Sequence, residues 1–196
     1  MELIGQNAKL RLMSTKDVEV LYNLVKRNPG LWTYMVRKMD SVEDMEKLVA
    51  EALKNLDKGI ELPFVVIDKV NNDIIGSTRL YDMSFSRKTV ELGSTFYDKS
   101  VQRTSFNTEC KYLLLKYAFE ELGMIRVQIK TDAENLGAQR AIERIGGTKE
   151  GILRNERLLY NGRVRDAVLY SITNNEWDTV KSKLEDLIAK HYDKVK

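Results

Sequence analysis

Gln102-Arg103-Thr104-Ser105-Phe106-Asn107-Thr108-Glu109-Cys110-Lys111-Tyr112-Leu113-Leu114-Leu115-Lys116-Tyr117-Ala118-Phe119-Glu120-Glu121-Leu122 is the stretch whose reading decides the fold. Its second part is helical by spacing. Cys110, Leu113, Leu114, Tyr117 and Ala118 recur at i, i+3, i+4, i+7 and i+8, with neither Gly nor Pro between them. Its first part is a polar turn that follows an extended segment at 90–97 and opens directly onto the helix. Asn107 and Thr108 are candidate N-caps, and Glu109 places a carboxylate in the first turn, where the helix dipole favours it. A strand, a polar turn and a buried helix in this order aim free backbone N–H groups at one spot, and such a spot binds anions, phosphate above all. The plain alternative is a strand–helix connection with no ligand, so the flanking sequence has to decide.

Upstream of the turn, segments 63–69, 74–81 and 89–97 read as strands, the first two joined across Asn71-Asn72-Asp73. Before them come an alternating strand at 8–13 and two amphipathic helices. Ser14 or Thr15 caps the first, whose stripe is Val18, Leu21, Tyr22 and Val25 and whose stop is Asn28-Pro29-Gly30. Ser41 caps the second, which carries Val42, Met45, Leu48, Val49, Ala52, Leu53 and Leu56 and ends at Lys58-Gly59. Segment 31–38, with Trp32, Tyr34 and Met35, has no clear period.

Downstream, 125–131 alternates as a strand, and a helix over 134–145 ends at Gly146-Gly147. Segments 151–159 and 163–172 form a hairpin across Asn161-Gly162. Asn174 or Asn175 then caps a last helix carrying Trp177, Val180, Leu184, Leu187 and Ile188. The predicted order is βααβββαβαββα, an α/β fold with a mixed sheet and helices on both faces, in one domain over 1–196.

Composition narrows the function. The chain has 196 residues, 43% of them hydrophobic and 31% charged, as in a soluble globular protein. A net charge of +3 with dispersed basic residues argues against nucleic acid. Cys110 is the one cysteine, so no disulfide can form within the chain, and its place on an apolar helix face reads as a buried small hydrophobe. His191, the one histidine, lies in a Lys-rich tail, which argues against a histidine triad or a metal site. No apolar run reaches the ~18 residues of a membrane span, and Met1-Glu2-Leu3 does not open a signal peptide. The expectation is a cytoplasmic protein with no membrane partner. A nucleotide-binding P-loop is disfavoured because no Gly-Lys-Ser/Thr follows the turn.

Several strings together resemble the GNAT superfamily of acetyl-CoA-dependent N-acetyltransferases, and its RimJ/RimL-like branch most. They are Glu91-Leu92-Gly93, the turn Gln102 through Glu109, Thr131-Asp132-Ala133-Glu134-Asn135, Arg144-Ile145-Gly146-Gly147, Glu150-Gly151, Gly162-Arg163-Val164-Arg165-Asp166 and Glu176-Trp177. The resemblance implies a V-shaped gap between the fourth and fifth predicted strands that holds the pantetheine arm of acetyl-CoA. The diphosphate would rest on Gln102, Arg103, Thr104, Ser105, Phe106, Asn107 and Thr108. A strand N–H from Ser94, Thr95 or Phe96 would face the oxyanion, and Asn135 would contact the pantetheine near the thioester.

Two departures, at three positions, set the sequence apart from the family pattern R/Q-x-x-G-x-G/A and its neighbours. Ser105 and Asn107 stand where Gly or Ala is usual, so Ser105 must take ordinary backbone angles or carry strain, while Asn107 tolerates left-handed angles. Ala138 stands where many RimL-like members have a serine thought to protonate the leaving thiolate.

Acetyl transfer needs a neutral amine. An α-amine of pKa near ~8 is roughly a tenth neutral at pH 7, whereas a lysine near ~10.4 is almost wholly charged. A weak base acting through water therefore suffices for a protein N-terminus. The resemblance offers two candidates, Glu150 and Glu91, each with a structural alternative as a salt-bridged carboxylate. Arg154, Arg157, Arg163 and Arg165 either bind an acidic substrate or form a solvated face, with Asp166 pairing one of them. Trp32 and Tyr34 fall where the family forms its acceptor wall, and would otherwise be core. The expected partners are an amine acceptor, a protein N-terminus or a small molecule, and as an option a second copy of the chain. A CoA-binding module without turnover is the rival reading.

Overall fold

The computed structural model of the protein describes residues 1–192; the side chain of His191 lies outside that part. Among the described residues the order is β1 (Glu2–Ile4), β2 (Ala8–Leu12), α1 (Val18–Arg27), α2 (Val42–Asp57), β3 (Leu62–Asp68), β4 (Asp73–Ser84) and β5 (Thr89–Tyr97). There follow α3 (Phe106–Lys116), β6 (Arg126–Asp132), α4 (Leu136–Arg144), β7 (Thr148–Leu158), β8 (Val164–Thr173) and α5 (Trp177–Tyr192). The strands form one sheet in the order β1-β2-β3-β4-β5-β6-β8-β7. Every neighbouring pair is antiparallel except β5 and β6. The expected α/β class and mixed sheet are what the structure has, with one strand more. Glu2–Ile4 was unread because three residues, two of them exposed, give no period. The two strands expected to part are thus β5 and β6.

Two apolar layers sandwich the sheet. One holds Phe64, Val66, Leu80, Leu92, Val127, Ile129 and Tyr170 against Leu114, Leu115, Ile142 and Val180 of the later helices. The other packs Val65, Ile67 and Phe96 against Leu21, Leu24, Met45 and Val49 of α1 and α2. Successive residues of a strand point to opposite faces, so the unbroken apolar run of β3 is what burial on both sides requires.

Helix starts follow side-chain caps where the sequence offered them. Ser41 accepts from the Asp44 amide at 3.4 Å, and Asp44 accepts in return from the amides of Asp40 and Ser41. Ser14 opens a short 3-10 turn (Thr15–Asp17) whose Asp17 carboxylate holds both the Ser14 amide, at 2.7 Å, and Arg11, at 2.8 Å.

At α3 the expectation is corrected. The helix begins at Phe106, so Asn107 and Thr108 lie inside its first turn, and Ser105 stands at the cap without a side-chain bond. Its phase also differs. Lys111, Leu114, Leu115 and Ala118 are buried, while Leu113 and Tyr117 are only half-buried. The helix is buried on several sides, so an apolar period could not fix its orientation. Glu109 serves more than the dipole, since its buried carboxylate accepts from the amides of Asn7, at 2.9 Å, and Ala8, at 3.4 Å. The last helix starts at Trp177, beyond Asn174 and Asn175, with the Glu176 carboxylate bonded back to the Thr173 amide at 2.8 Å.

Candidate active site

The divergence of two strands builds the site. β5 and β6 pair only over Thr89↔Arg126, Val90↔Val127 and Glu91↔Gln128. Beyond that row β6 stays with β8 as far as Asp132↔Ala167, whereas β5 stays with β4 through a bulge between Arg79↔Gly93 and Ser77↔Phe96. The bulged Ser94 has φ 48 and is exposed. A bulge adds local twist and bends its strand, here at the point where β5 leaves β6. The result is a wedge with the unpaired edge of β5 on one side.

The turn before α3 follows the end of β5, the strand that has left β6. Gln102 Nε2 donates to the Tyr97 carbonyl at 3.2 Å, and Thr104 Oγ1 donates to the Val101 carbonyl at 2.6 Å while accepting from the Phe106 amide at 3.3 Å. The left-handed residue is Arg103, at φ 62. Ser105 has ordinary helical angles, φ −71 and ψ −19, and Asn107 is helical, so neither small-residue departure strains the turn. Among the described residues, the amides of Arg103, Thr104, Ser105, Asn107 and Thr108 donate to no protein acceptor. Those N–H groups, at the positive end of a buried helix, fit a diphosphate. Arg144, at the end of α4, donates to Thr108 Oγ1 at 3.1 Å and brings a guanidinium to the same place. Only its presence in a family-like string hinted at it.

On the α1–α2 side of the wedge, Trp32 packs edge-to-face on Phe96 with ring centroids 5.4 Å apart, and its Nε1 donates to the Arg37 carbonyl at 2.6 Å. Trp32 is buried core. Its edge, with Met35, Arg79, Ser94 and Phe96, lines an indentation of ≈ 40 Å³ beside the bulge. Tyr34 is exposed, its hydroxyl 3.5 Å from the Glu134 carbonyl, which links the loop after α1 to the β6–α4 connection. Asn135 opens α4, its Oδ1 accepting from the Ala138 amide at 3.0 Å, so its Nδ2 carries the donors left over.

The two candidate carboxylates sit at opposite ends of one chain of hydrogen bonds. Glu91 is buried in the last paired row and accepts from the Tyr81 hydroxyl and from Gln128 Nε2 at 2.8 Å, with Lys130 Nζ at 3.1 Å. Burial first, and then Glu91, push the Tyr81 phenol well above its usual range. Gln128 Oε1 lies 3.5 Å from Arg126, whose guanidinium grips Glu150 through bonds of 2.6 and 2.5 Å. Ser171 Oγ adds a third bond to Glu150 at 2.7 Å. Arg126 and then Ser171 pull the Glu150 carboxyl down to about 2.

Three of the four hairpin arginines, Arg157, Arg163 and Arg165, have carboxylate neighbours. Asp132, rather than Asp166, pairs with Arg163 and lies 3.9 Å from Arg165, while Asp166 accepts from the Asn155 amide at 2.7 Å. Arg157 pairs with Glu156 at 2.7 Å.

One group escaped the sequence reading. Lys111 is buried beneath β4 and β5, its Nζ 2.7 Å from Thr95 Oγ1 and 3.3 Å from Thr78 Oγ1, and those two hydroxyls are 2.8 Å apart. Burial lowers its ammonium to about 7. The neighbouring Cys110 thiol is buried and pushed up to about 12, as suits a core residue.

Residues 8–148 match the model of the acetyltransferase (GNAT) domain. The chain is 28% identical over 176 residues to the "Probable N-acetyltransferase YjcK" of Bacillus subtilis (strain 168), covering 88% of this chain and 97% of that protein. A GCN5-related N-acetyltransferase from Brucella melitensis superposes with a TM-score of 0.87 at 24% identity, over 96% of this chain and 85% of that one. The ribosomal L7/L12 alpha-N-protein acetyltransferase RimL, solved with coenzyme A, superposes with a TM-score of 0.78 at 19% identity, over 88% and 98%. At these identities the two structural likenesses are of fold.

Proposed function

The chain belongs to the GNAT acetyltransferase family, and on that premise we propose that it acetylates the α-amine of a protein N-terminus by direct attack in a ternary complex with acetyl-CoA. The observation that carries this reading is the parting of β5 from β6 immediately after the Glu91–Gln128 row, next to a turn with free amides. The residues suit the cosubstrate: the amides at 103–108 and Arg144 would hold the diphosphate, and the β5 edge with Asn135 Nδ2 the pantetheine. Bound there, acetyl-CoA supplies an activated carbonyl.

The chain's own work is orientation and proton handling. Strand amides at Ser94 to Phe96 polarise the carbonyl, and fixing both partners in one wedge removes much of the entropic barrier. Glu91 takes the amine's proton through water. Of the two carboxylates it is the better placed, in the row where the strands part. Glu150, held near 2 by Arg126 and Ser171, is a weak base. The α-amine is preferred as acceptor because its neutral fraction at pH 7 is hundreds-fold above that of a lysine, and the acceptor in RimL's own description is an α-amine.

Thiol release from acetyl-CoA with peptides whose N-terminus or lysine is blocked tests the acceptor. Release that survives N-terminal blocking rules out the α-amine. Glu91→Gln should lower kcat on the order of 10²-fold and Glu150→Gln only slightly, and a reversed order would move the base to Glu150.

A further inference from the structure

Accepting an amine's proton is half of the proton balance; the departing sulfur needs one as well. At the start of α4, Ala138 offers only a methyl group, and its amide is taken by Asn135. The opposite wall of the wedge is different. Thr95 lies one residue past the bulge, half-buried, and its hydroxyl donates to the Gly93 carbonyl at a long 3.3 Å. That carbonyl belongs to the stretch of β5 that has left β6. Behind the hydroxyl, at 2.7 Å, is the Nζ of Lys111.

Buried lysines are costly unless paired, and among the described residues the hydrogen-bond partners of Lys111 Nζ are two neutral hydroxyls. Thr78 faces it from β4, Thr95 from β5 and the protonated Cys110 thiol from its own helix. Glu109, next along the helix, turns its carboxylate to the amides of Asn7 and Ala8. A cation held by neutral hydroxyls beside a ligand gap suits a reaction in which an anion forms there.

We infer that Lys111, acting through the Thr95 hydroxyl, is the proton source for the departing thiolate, a role that rests on the acetyl-transfer reading above. As the amine nitrogen bonds to the carbonyl carbon and the C–S bond breaks, Thr95 Oγ1 gives its proton to the sulfur and takes one from Lys111 Nζ. Lys111 is left neutral and regains a proton from solvent as products leave. The proton shed by the amine departs through Glu91 and water, so amine and thioester become amide and thiol with no proton unaccounted for. Lys111 is a positioning and relay residue; Thr95 is the group that touches substrate. Because burial holds the ammonium to about 7, it releases a proton readily near neutral pH.

The test has a kinetic and a spectroscopic arm. In the wild type, kcat should fall as pH rises and Lys111 loses its charge. Lys111→Met and Thr95→Val should each lower kcat roughly 10- to 100-fold, leave KM for acetyl-CoA nearly unchanged and abolish that basic limb. Separately, the Lys111 Nζ signal of isotope-labelled protein is titrated in complexes with the sulfonate of coenzyme A, which is anionic at the thiol's place, and with desulfo-coenzyme A. The midpoint should lie about tenfold higher in proton affinity with the sulfonate, whose charge stabilises the ammonium. Equal midpoints in the two complexes, or a basic limb that survives in Lys111→Met, overturn the assignment. A wild type that releases no thiol with any amine would instead sink the acetyl-transfer reading, and the sulfonate comparison would still decide whether Lys111 senses an anion at the thiol's place.

Discussion

Lys111→Met should make the protein more stable, and by an amount that depends on pH. The unfolded chain holds the lysine proton up to about 10.5, the folded protein only to about 7. Between those values the unfolded state binds one proton more than the native state, so wild-type stability rises with pH through that window, by about 1.4 kcal/mol per pH unit. Below pH 7 both states are protonated and the penalty is complete; above 10.5 neither is, and it is gone. The full penalty is about 5 kcal/mol at most. Methionine is of similar length, and the two threonine hydroxyls left behind already lie 2.8 Å apart, close enough to satisfy each other. Urea unfolding of both proteins at pH 6 and at pH 10 measures the difference, in which titrating groups away from Lys111 cancel. The variant should be more stable by about 2–5 kcal/mol at pH 6, with most of that gain lost by pH 10. An equal gain at both pH values would mean that Lys111 is not a desolvated ammonium, and would refute the reasoning. Stability gained by removing a single residue is the usual mark of a residue kept for function.

Three further outcomes follow from other parts of the molecule. A Cβ at Gly5 would collide with Glu109 Oε1, so Gly5→Ala should displace a buried carboxylate from two amides and cost about 2–4 kcal/mol in a thermal or urea melt; a neutral result would show that Glu109 has room to move. Arg144→Ala should weaken coenzyme A binding several-fold by calorimetry, with less effect on desphospho fragments, because its guanidinium reaches Thr108 in the first turn of α3, beside the free amides; unchanged affinity would remove it from the diphosphate site. Cys110, buried with its thiol pushed up to about 12, should resist a thiol reagent at pH 8 in the native protein and react with one equivalent on unfolding; rapid native labelling would contradict its place in the core.

What could be read from the sequence and what could not divide along one physical line. Ser41 and its helix, the Asn72 turn at φ 59 and the Gly162 turn at φ 82 are local arrangements, each set by a few adjacent residues, and each stands where its residues put it. The free amides before α3 are legible for the same reason, although the left-handed angle falls on Arg103 and the residue at the cap is Ser105 rather than Asn107 or Thr108. The carboxylates' surroundings are not legible, because Arg126, Gln128 and Ser171 meet Glu91 and Glu150 only through the register of four strands. Lys111 is the instructive case. It stands at i, i+3, i+4 and i+7 with Leu114, Leu115 and Ala118, all fully buried, so a stripe containing it was available. The stripe read from the sequence, Cys110, Leu113, Leu114, Tyr117 and Ala118, shares Leu114 and Ala118 with it and contains no charge. A helix buried on several sides, polar residues included, does not reveal its phase through an apolar period, and preferring the uncharged stripe presumes that no lysine is buried. At a site that must supply a proton, that presumption selects against the residue that supplies it.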